Sequence, residues 1–137
     1  MSFSEPPDQR AARRRALLVE DESLIAMLLE DMLAELGYEV VGPVARLDKA
    51  VELAQREVID VAILDVNLNG MEVYPVAAAL AARGVPFVFS TGYGNSGLHA
   101  PYGDRPTLQK PFRRRDLCAA LEQTEANGTR PPPIAGA

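Results

Sequence analysis

The stretch VIDVAILDVNLNG, residues 58–70, decides how the fold is interpreted. Its apolar run, residues 61–64, does not alternate with polar residues, which is typical of a strand buried on both faces of a parallel sheet. Asp65 ends this run, and the asparagines and glycine that follow favour a loop. An acid at the carboxyl end of a central parallel strand lies where open α/β sheets bind ligands. The stretch alone also allows Asp65 to be only a polar strand end or a helix cap.

The composition limits the classes of protein that fit. The chain has 137 residues and 47% hydrophobic content, which suits one domain with a substantial core. Its net charge of −5 argues against general nucleic-acid binding, which needs a basic surface. A single cysteine, Cys118, excludes an internal disulfide framework and is compatible with a reducing compartment. Because neither a membrane-spanning run nor a signal peptide is visible, we expect a cytoplasmic protein that binds neither DNA nor a membrane.

Apolar patterns predict five strands that alternate with helices. The predicted strands comprise residues 16–19, 38–41, 61–64, 85–89 and 106–109. Ser23 is expected to cap the first helix, and Gly37 to end it in a left-handed conformation. The stripe expected to be buried on this helix comprises Leu24, Ile25, Leu28, Leu29, Met32, Leu33 and Leu36.

The later helices are less uniform. The second helix is expected to bury Leu47, Ala50, Val51, Ala54 and Val58. The third, near residues 72–83, is expected to bury Val73, Val76, Ala77 and Leu80. The last is expected to bury Leu117, Cys118 and Leu121. Residues 95–104 contain two glycines and a proline, which predicts a short, frayed or absent fourth helix. Residues 1–13 are expected to be a disordered lead-in, 14–126 the folded domain and 127–137 a flexible tail.

This alternation predicts an α/β fold, a doubly wound five-stranded parallel sheet with helices on both faces. Right-handed crossovers place the carboxyl ends of all five strands on one edge. Residues at or just after those ends are therefore expected to meet there; they comprise Glu20, Asp21, Asp65, Thr91 and Lys110.

Such a cluster favours a metal-assisted phosphoryl site. Two like charges about 4 Å apart repel by about 4 kcal/mol at an effective dielectric constant near 20, so three carboxylates call for a cation. Oxygen ligands without histidine or cysteine suit Mg²⁺. Lys110 adds positive charge and Thr91 a hydroxyl, which together describe a pocket for a phosphoryl group with Asp65 as the nucleophile.

Four motifs, LLVEDE, LDVNLNG, STGYG and QKPF, occur in this order between residues 15 and 123. In that set the chain resembles the receiver domain of bacterial two-component response regulators. The resemblance implies a (βα)5 fold with strand order 2-1-3-4-5, the CheY-like or flavodoxin-like order. It also implies that Asp65 accepts a phosphoryl group from a sensor histidine kinase or a histidine phosphotransfer protein.

The resemblance assigns the remaining roles residue by residue. Asp21 matches the acid that binds Mg²⁺ directly, and Glu20 the neighbour that acts through water. Asn67 matches the residue whose backbone carbonyl binds the metal. Thr91 and Lys110 match the hydroxyl and the lysine that follow and contact the phosphoryl group, and the Lys110–Pro111 bond is expected to be cis.

Two positions depart from the common pattern, and a third feature matches a subgroup of the family. Glu20 replaces the commoner aspartate, and Thr107 stands where many members have a switch aromatic, so position 107 lacks the ring of the usual hydroxyl-to-aromatic relay. Phe89 before Ser-Thr-Gly, with Tyr93 following, resembles the FATGUY-like motif of a single-domain subgroup. We hypothesise that the Tyr93 ring restricts water and modulates the lifetime of the phosphoryl group.

Only a short tail follows the last predicted helix, so we expect a stand-alone receiver or phosphorelay shuttle that acts through another protein or a second copy. It is not expected to be an enzyme beyond its own phosphorylation and slow dephosphorylation. The main alternative is an interaction module that works without phosphorylation. A flavin carrier is disfavoured because the acids 20–22 occupy the place of a phosphate-cradling loop. A hydrolytic phosphatase is disfavoured because Asn67 replaces a second acid.

Overall fold

The computed structural model describes residues 14–92, 102, 105 and 107–128, with the backbone alone for 125–128. In chain order the elements are β1 (Arg14–Val19), α1 (Ser23–Glu35), β2 (Tyr38–Val44), α2 (Leu47–Arg56), β3 (Val61–Asp65), β4 (Asn67–Leu68), β5 (Met71–Glu72), α3 (Tyr74–Ala82), β6 (Phe87–Thr91), β7 (Thr107–Gln109) and α4 (Arg114–Gly128). The predicted lead-in, nearly all of the predicted fourth helix, Tyr93 and most of the predicted tail lie outside the described residues.

The main sheet has five parallel strands in the order β2-β1-β3-β6-β7. This confirms the predicted order 2-1-3-4-5, because β6 and β7 are the fourth and fifth predicted strands. All five residues of the central strand β3 are buried, as its unbroken apolar run predicts. Since the strands are parallel, their carboxyl ends share one edge of the sheet.

Side-chain alternation along the strands divides the core between two faces. In β1, Leu17 and Val19 point to the face covered by α2 and α3, whereas Ala16 and Leu18 point to the face covered by α1 and α4. The prediction of helices on both faces is therefore confirmed. Among the described residues, no helix combines the length and apolar character that crossing a membrane requires.

The first helix departs from its predicted stripe. Ala26, Leu29 and Leu33 are buried, but Leu24 is 79% exposed and Leu28 is 46% exposed, so both predictions are wrong. The helix carries more large apolar residues than one face can bury, and the small Ala26 takes an inward position. Ser23 is not the cap: it is the first helical residue, and Glu22 holds the N-cap position without a side-chain cap bond.

Several other expectations need correction. Val58 is exposed, because α2 ends at Arg56 and the chain has left the helix by that point. In α4, Leu117 and Leu121 are buried as predicted, whereas Cys118 is only partly buried, with its Sγ 3.6 Å from Glu122 Oε2.

The first helix does end with Gly37 at φ 95°, the left-handed conformation that glycine adopts without strain.

Strand β2 is longer than predicted. It continues through Gly42-Pro43 to Val44, beyond its predicted end at residue 41, and the register with β1 shifts at this point. Gly42 has φ +104°, and a Cβ there would lie 2.8 Å from the carbonyl oxygen of Leu18. The Gly42–Pro43 peptide bond is cis. The close approach of two backbones therefore explains why glycine stands inside the strand.

A short hairpin after β3 was not predicted. Strands β4 and β5 pair antiparallel, joined by Asn69 at φ 55° and Gly70 at φ 85°. Positive φ at both central residues is the geometry of a type I′ turn, for which Asn-Gly is the preferred sequence. Because Glu72 pairs in β5, α3 begins at Tyr74 rather than at residue 72.

An aromatic cluster holds Tyr102 and Arg105, which lie between β6 and β7. The Tyr102 ring stacks on Tyr74 at 5.3 Å and meets Phe87 and Phe89 edge-on at 6.0 and 5.6 Å. The Arg105 guanidinium lies 4.5 Å from the centre of the Phe87 ring. Both residues therefore belong to the face of the sheet that α2 and α3 cover.

Candidate functional site

The carboxyl edge of the sheet contains an open cleft of about 790 Å³. Its lining comprises Asp21, Glu22, Ile25, Asp65, Val66, Asn67, Glu72, Thr91, Gly92, Lys110 and Pro111. The structure thus brings five of the six predicted site residues to one cleft. The sixth, Glu20, is buried next to it and contacts Lys110.

The strand ends position these side chains. Glu20 directly follows β1, and its N–H donates to the carbonyl of Val44 at the end of β2. Asp65 and Thr91 are the last residues of β3 and β6. Lys110 directly follows β7, and its backbone N–H donates to the carbonyl of Thr91 at 2.9 Å. The lysine therefore enters the cleft from a backbone that is bonded to the threonine.

Three carboxylates crowd this cleft. One oxygen each of Glu20, Asp21 and Asp65 lies within 4.8 Å of the others. Burial, followed by the charge of Glu20, raises the pKa of Asp65 from its ordinary value of 3.8 to about 7. A carboxyl group that resists ionisation in this way indicates that the cleft needs additional positive charge.

The donors fit a hard divalent cation. Glu20 Oε1 is buried and has no hydrogen-bond partner among the described residues. A buried carboxylate oxygen without a partner is costly, and a metal ion would satisfy it. Carboxylate oxygens are the ligands that Mg²⁺ accepts in proteins. Glu20, Asp21 and Asp65 could therefore hold such an ion.

The hairpin brings Asn67 and Asn69 to the acids. The backbone N–H of Asn67 donates to Asp65 Oδ1 at 3.2 Å, while its side-chain Oδ1 accepts the Gly70 N–H at 2.7 Å. Because the turn engages this side chain, any contact of Asn67 with a metal would come from its backbone. Sequence reasoning missed the N–H of Asn69, which donates to Asp21 Oδ2 at 2.9 Å. The Asn-Gly pair was the signal that could have revealed this contact.

Lys110 is the cation of the cleft. Its Nζ donates to Asp65 Oδ2 at 3.3 Å, to Glu20 Oε2 at 3.3 Å and to Glu22 Oε1 at 3.1 Å. Burial alone would lower the pKa of Lys110, but the carboxylates of Asp65 and Glu20 outweigh it and raise this pKa above its ordinary value. The Lys110–Pro111 bond is cis, as the resemblance implied. Sequence reasoning did not include Glu22 in the site, although it is the third acid of the run after β1.

The threonines differ in their surroundings. Thr91 is buried at the end of β6 and lines the cleft beside Asp65. Thr107 pairs with Phe89, and its Oγ1 donates to the carbonyl of Arg105 at 3.1 Å. Position 107 thus carries no ring, and the aromatic side chain near this position is Tyr102, which packs against Phe89, the strand partner of Thr107. The predicted role of Tyr93 stays a prediction, since that residue is outside the described part of the chain.

Comparison with known proteins gives one consistent family. The sequence profile of the response regulator receiver domain matches residues 16–122. The transcriptional regulatory protein PdtaR of Mycobacterium tuberculosis is 37% identical over 116 residues, which are 82% of this chain and 57% of PdtaR. The chain therefore spans little more than half the length of this curated relative.

Solved structures show the same likeness. SdrG from Sphingomonas melonis Fr1 is 47% identical, with a TM-score of 0.73 over 80% of this chain and 93% of SdrG. The receiver domain of the sensor histidine kinase PA1611 from Pseudomonas aeruginosa is 30% identical, with a TM-score of 0.72 over 84% of this chain and 99% of that domain. The PA1611 structure has a magnesium ion coordinated in its active-site cleft.

Proposed function

The chain belongs to the response regulator receiver family, and we propose that it accepts a phosphoryl group on Asp65 and signals through protein–protein contacts. The donor would be a sensor histidine kinase or a histidine phosphotransfer protein. The observation that carries this proposal is the convergence of Asp65 with Lys110 and two further acids in one cleft. The chain would be no enzyme beyond its own phosphorylation and slow dephosphorylation.

The proposed transfer needs little covalent chemistry from the protein. The Asp65 carboxylate attacks the phosphorus, a P–O bond forms as the P–N bond to the donor imidazole breaks, and the imidazole nitrogen keeps the electron pair. Lys110, already 3.3 Å from Asp65 Oδ2, supplies positive charge to the phosphoryl oxygens. Thr91, beside Asp65 in the same cleft, can donate its hydroxyl to one of them.

A magnesium ion fits this proposal. Glu20, Asp21, Asp65 and the backbone of Asn67 are the groups that would hold it, and the partnerless Glu20 Oε1 supports that choice. The ion would neutralise charge on the transferring group. This chain's own contribution is to bring three carboxylates together from two strand ends, with Lys110 on a third.

The first helix offers a surface for the phosphoryl donor. Leu24, Met27 and Leu28 are all exposed and follow helical spacing, so they form a continuous apolar stripe. Ile25, on the same helix, lines the cleft that contains Asp65. A helix that carries the donor histidine could therefore dock on this stripe while its imidazole reaches Asp65.

A phosphorylation assay tests the function. The protein is incubated with Mg²⁺ and a small-molecule phosphodonor, and its intact mass is measured. We expect the mass of one phosphoryl group to be gained by the wild type and by Asp60→Asn, which changes the aspartate before β3, but not by Asp65→Asn. No gain by the wild type would contradict the proposal and favour the interaction module that works without phosphorylation.

A second assay tests the docking stripe. We expect the triple substitution of Leu24, Met27 and Leu28 by Gln to slow phosphotransfer from a histidine kinase at least tenfold. Phosphorylation by the small-molecule donor should not change, because the cleft is intact. Val58→Gln is a matched control, since Val58 is also exposed but lies away from this helix. Equal rates for the triple variant and the control would contradict the assignment of the surface.

A further inference from the structure

Lys110 has one carboxylate partner that the proposed function does not use. Its three acceptors are Asp65, Glu20 and Glu22, at 3.3, 3.3 and 3.1 Å. An ammonium group has three N–H donors. The three contacts therefore engage the whole donor capacity of Lys110 before any phosphoryl group arrives.

Binding a phosphoryl oxygen requires Lys110 to release one acceptor. Asp65 carries the phosphoryl group itself, and the side chain of Glu20 is only 1% exposed, so losing its cation would leave a buried charge unpaired. The side chain of Glu22 is 63% exposed, and water can replace the lysine there at little cost. Glu22 is thus the acceptor that is easiest to release.

We propose that Glu22 is a positioning residue that holds Lys110 in the unphosphorylated cleft and exchanges it for the phosphoryl group. This inference rests on the proposed function and deepens it. Glu22 competes with the phosphoryl oxygens for the same ammonium, so it weakens the phosphorylated state and favours return to the resting state. Its backbone N–H is bonded to Glu20 Oε2 at 3.1 Å, which fixes the start of its side chain at the edge of the cleft.

Release of Glu22 has a local consequence at α1. Glu22 occupies the N-cap position, yet no side-chain cap bond is made, because its carboxylate is bonded to Lys110. Once released, the carboxylate lies beside the N-terminal amides of α1, where negative charge is favourable. The exchange therefore connects the state of the cleft to the first turn of α1.

Calorimetric titration with beryllofluoride in the presence of Mg²⁺ tests the exchange of Glu22 for the phosphoryl group. We expect Glu22→Gln to bind beryllofluoride about two- to fivefold more tightly than the wild type, the range of an exposed ion pair. Glu22→Asp keeps the charge but shortens the side chain, so it should bind as tightly as Glu22→Gln. Glu52→Gln is the matched control, because Glu52 is also paired with cations but on α2, away from the cleft.

Hydrogen exchange supplies a second readout. In the wild type, beryllofluoride should increase the protection of the Leu24 and Ile25 amides, and Glu22→Gln should reduce this increase. If the wild type does not bind beryllofluoride at all, the proposed function itself fails. If the wild type binds but Glu22→Gln binds equally or more weakly, or if Glu22→Asp matches the wild type, the exchange is overturned while the function stands.

Discussion

The two ends of β1 carry similar sets of charges in different surroundings. At the start of the strand, the Arg15 guanidinium lies 3.8 Å from Glu39 and 3.4 Å from Glu57, and the Arg15 backbone N–H donates to Asp60 at 2.8 Å. Just past its end, Lys110 meets Glu20, Glu22 and Asp65. At the start of β1 the Arg15 guanidinium thus pairs with two acids and its backbone amide binds a third, whereas Lys110 pairs with all three acids through its ammonium group.

Burial separates the two ends. The side chains of Glu39 and Glu57 are 53% and 38% exposed, so water screens them. At the other end Glu20 and Asp65 are buried, and the pKa of Asp65 is raised. Similar charged groups thus form a partly exposed network at one end and a buried acidic cleft at the other.

The largest expected effect comes from removing each cation. Without Mg²⁺ at pH 8, we expect Lys110→Met to lower the free energy of unfolding by about 2–4 kcal/mol, because it leaves buried carboxylates unpaired. Arg15→Met should cost about 1 kcal/mol or less, since its carboxylates can turn to water. Urea unfolding measures both variants. Equal losses of stability in the two variants would contradict the view that burial of the carboxylates sets the cost of removing their cation.

Proton linkage makes the stability of the metal-free protein depend on the protonation of Asp65. Because the folded-state pKa of Asp65 is about 7 and its ordinary value is 3.8, the native state holds a proton that the unfolded chain has lost between these values. The metal-free protein should therefore lose stability as pH rises from about 4 to about 7, and the loss should level off above that. Asp65→Asn should remove most of this loss, because the substituted side chain no longer takes up the proton. Thermal unfolding in a chelator across this pH range measures the profiles.

A somewhat smaller difference between the two ends of β1 is expected in the stabilisation that Mg²⁺ gives. At a concentration ten times its dissociation constant, Mg²⁺ should stabilise the wild type by about 1.4 kcal/mol. Asp21→Asn should reduce this gain because it removes a proposed ligand, and Glu57→Gln should keep it. Unfolding with and without Mg²⁺ gives the gain directly, and an undiminished gain in Asp21→Asn would exclude that residue from the metal site.

The smallest effect is expected for one acid of the exposed end. Glu39→Gln should change the free energy of unfolding by less than about 0.5 kcal/mol, and salt should reduce the change further. Urea unfolding at low and high salt tests this. A change above 1 kcal/mol would show that the partly exposed ion pairs of Arg15 contribute as strongly to stability as buried pairs do.

Topology explains why much of the site was predictable. Unbroken apolar runs identify buried parallel strands, and the handedness of the crossovers sends their ends to one edge. Asp65 and Lys110 could therefore be placed together although 45 residues separate them. The side-chain pairing of Glu22 with Lys110 could not, because an acidic run does not tell which carboxylate points inward.

Packing explains why other features were not predictable. Leu24 and Leu28 match helical periodicity as well as Leu29 does, and only the position of α1 on the sheet decides that they stay exposed. The path of β2 through Gly42 depends on how closely the backbone of β1 approaches. The hairpin, by contrast, had its signal in Asn69-Gly70, and reading these residues only as a loop missed it.

The hairpin between β3 and α3 has a turn of only two residues, Asn69 and Gly70. Its two-residue turn sets Asn67 opposite Glu72, with the Asn67 amide on Asp65 and the Asn69 amide on Asp21. Loops usually tolerate insertions, but one residue added here would shift the pairing and send alternate side chains to the opposite face. The length of this turn therefore fixes the distance between the amides that bind Asp65 and Asp21, and so keeps the acidic edge in shape.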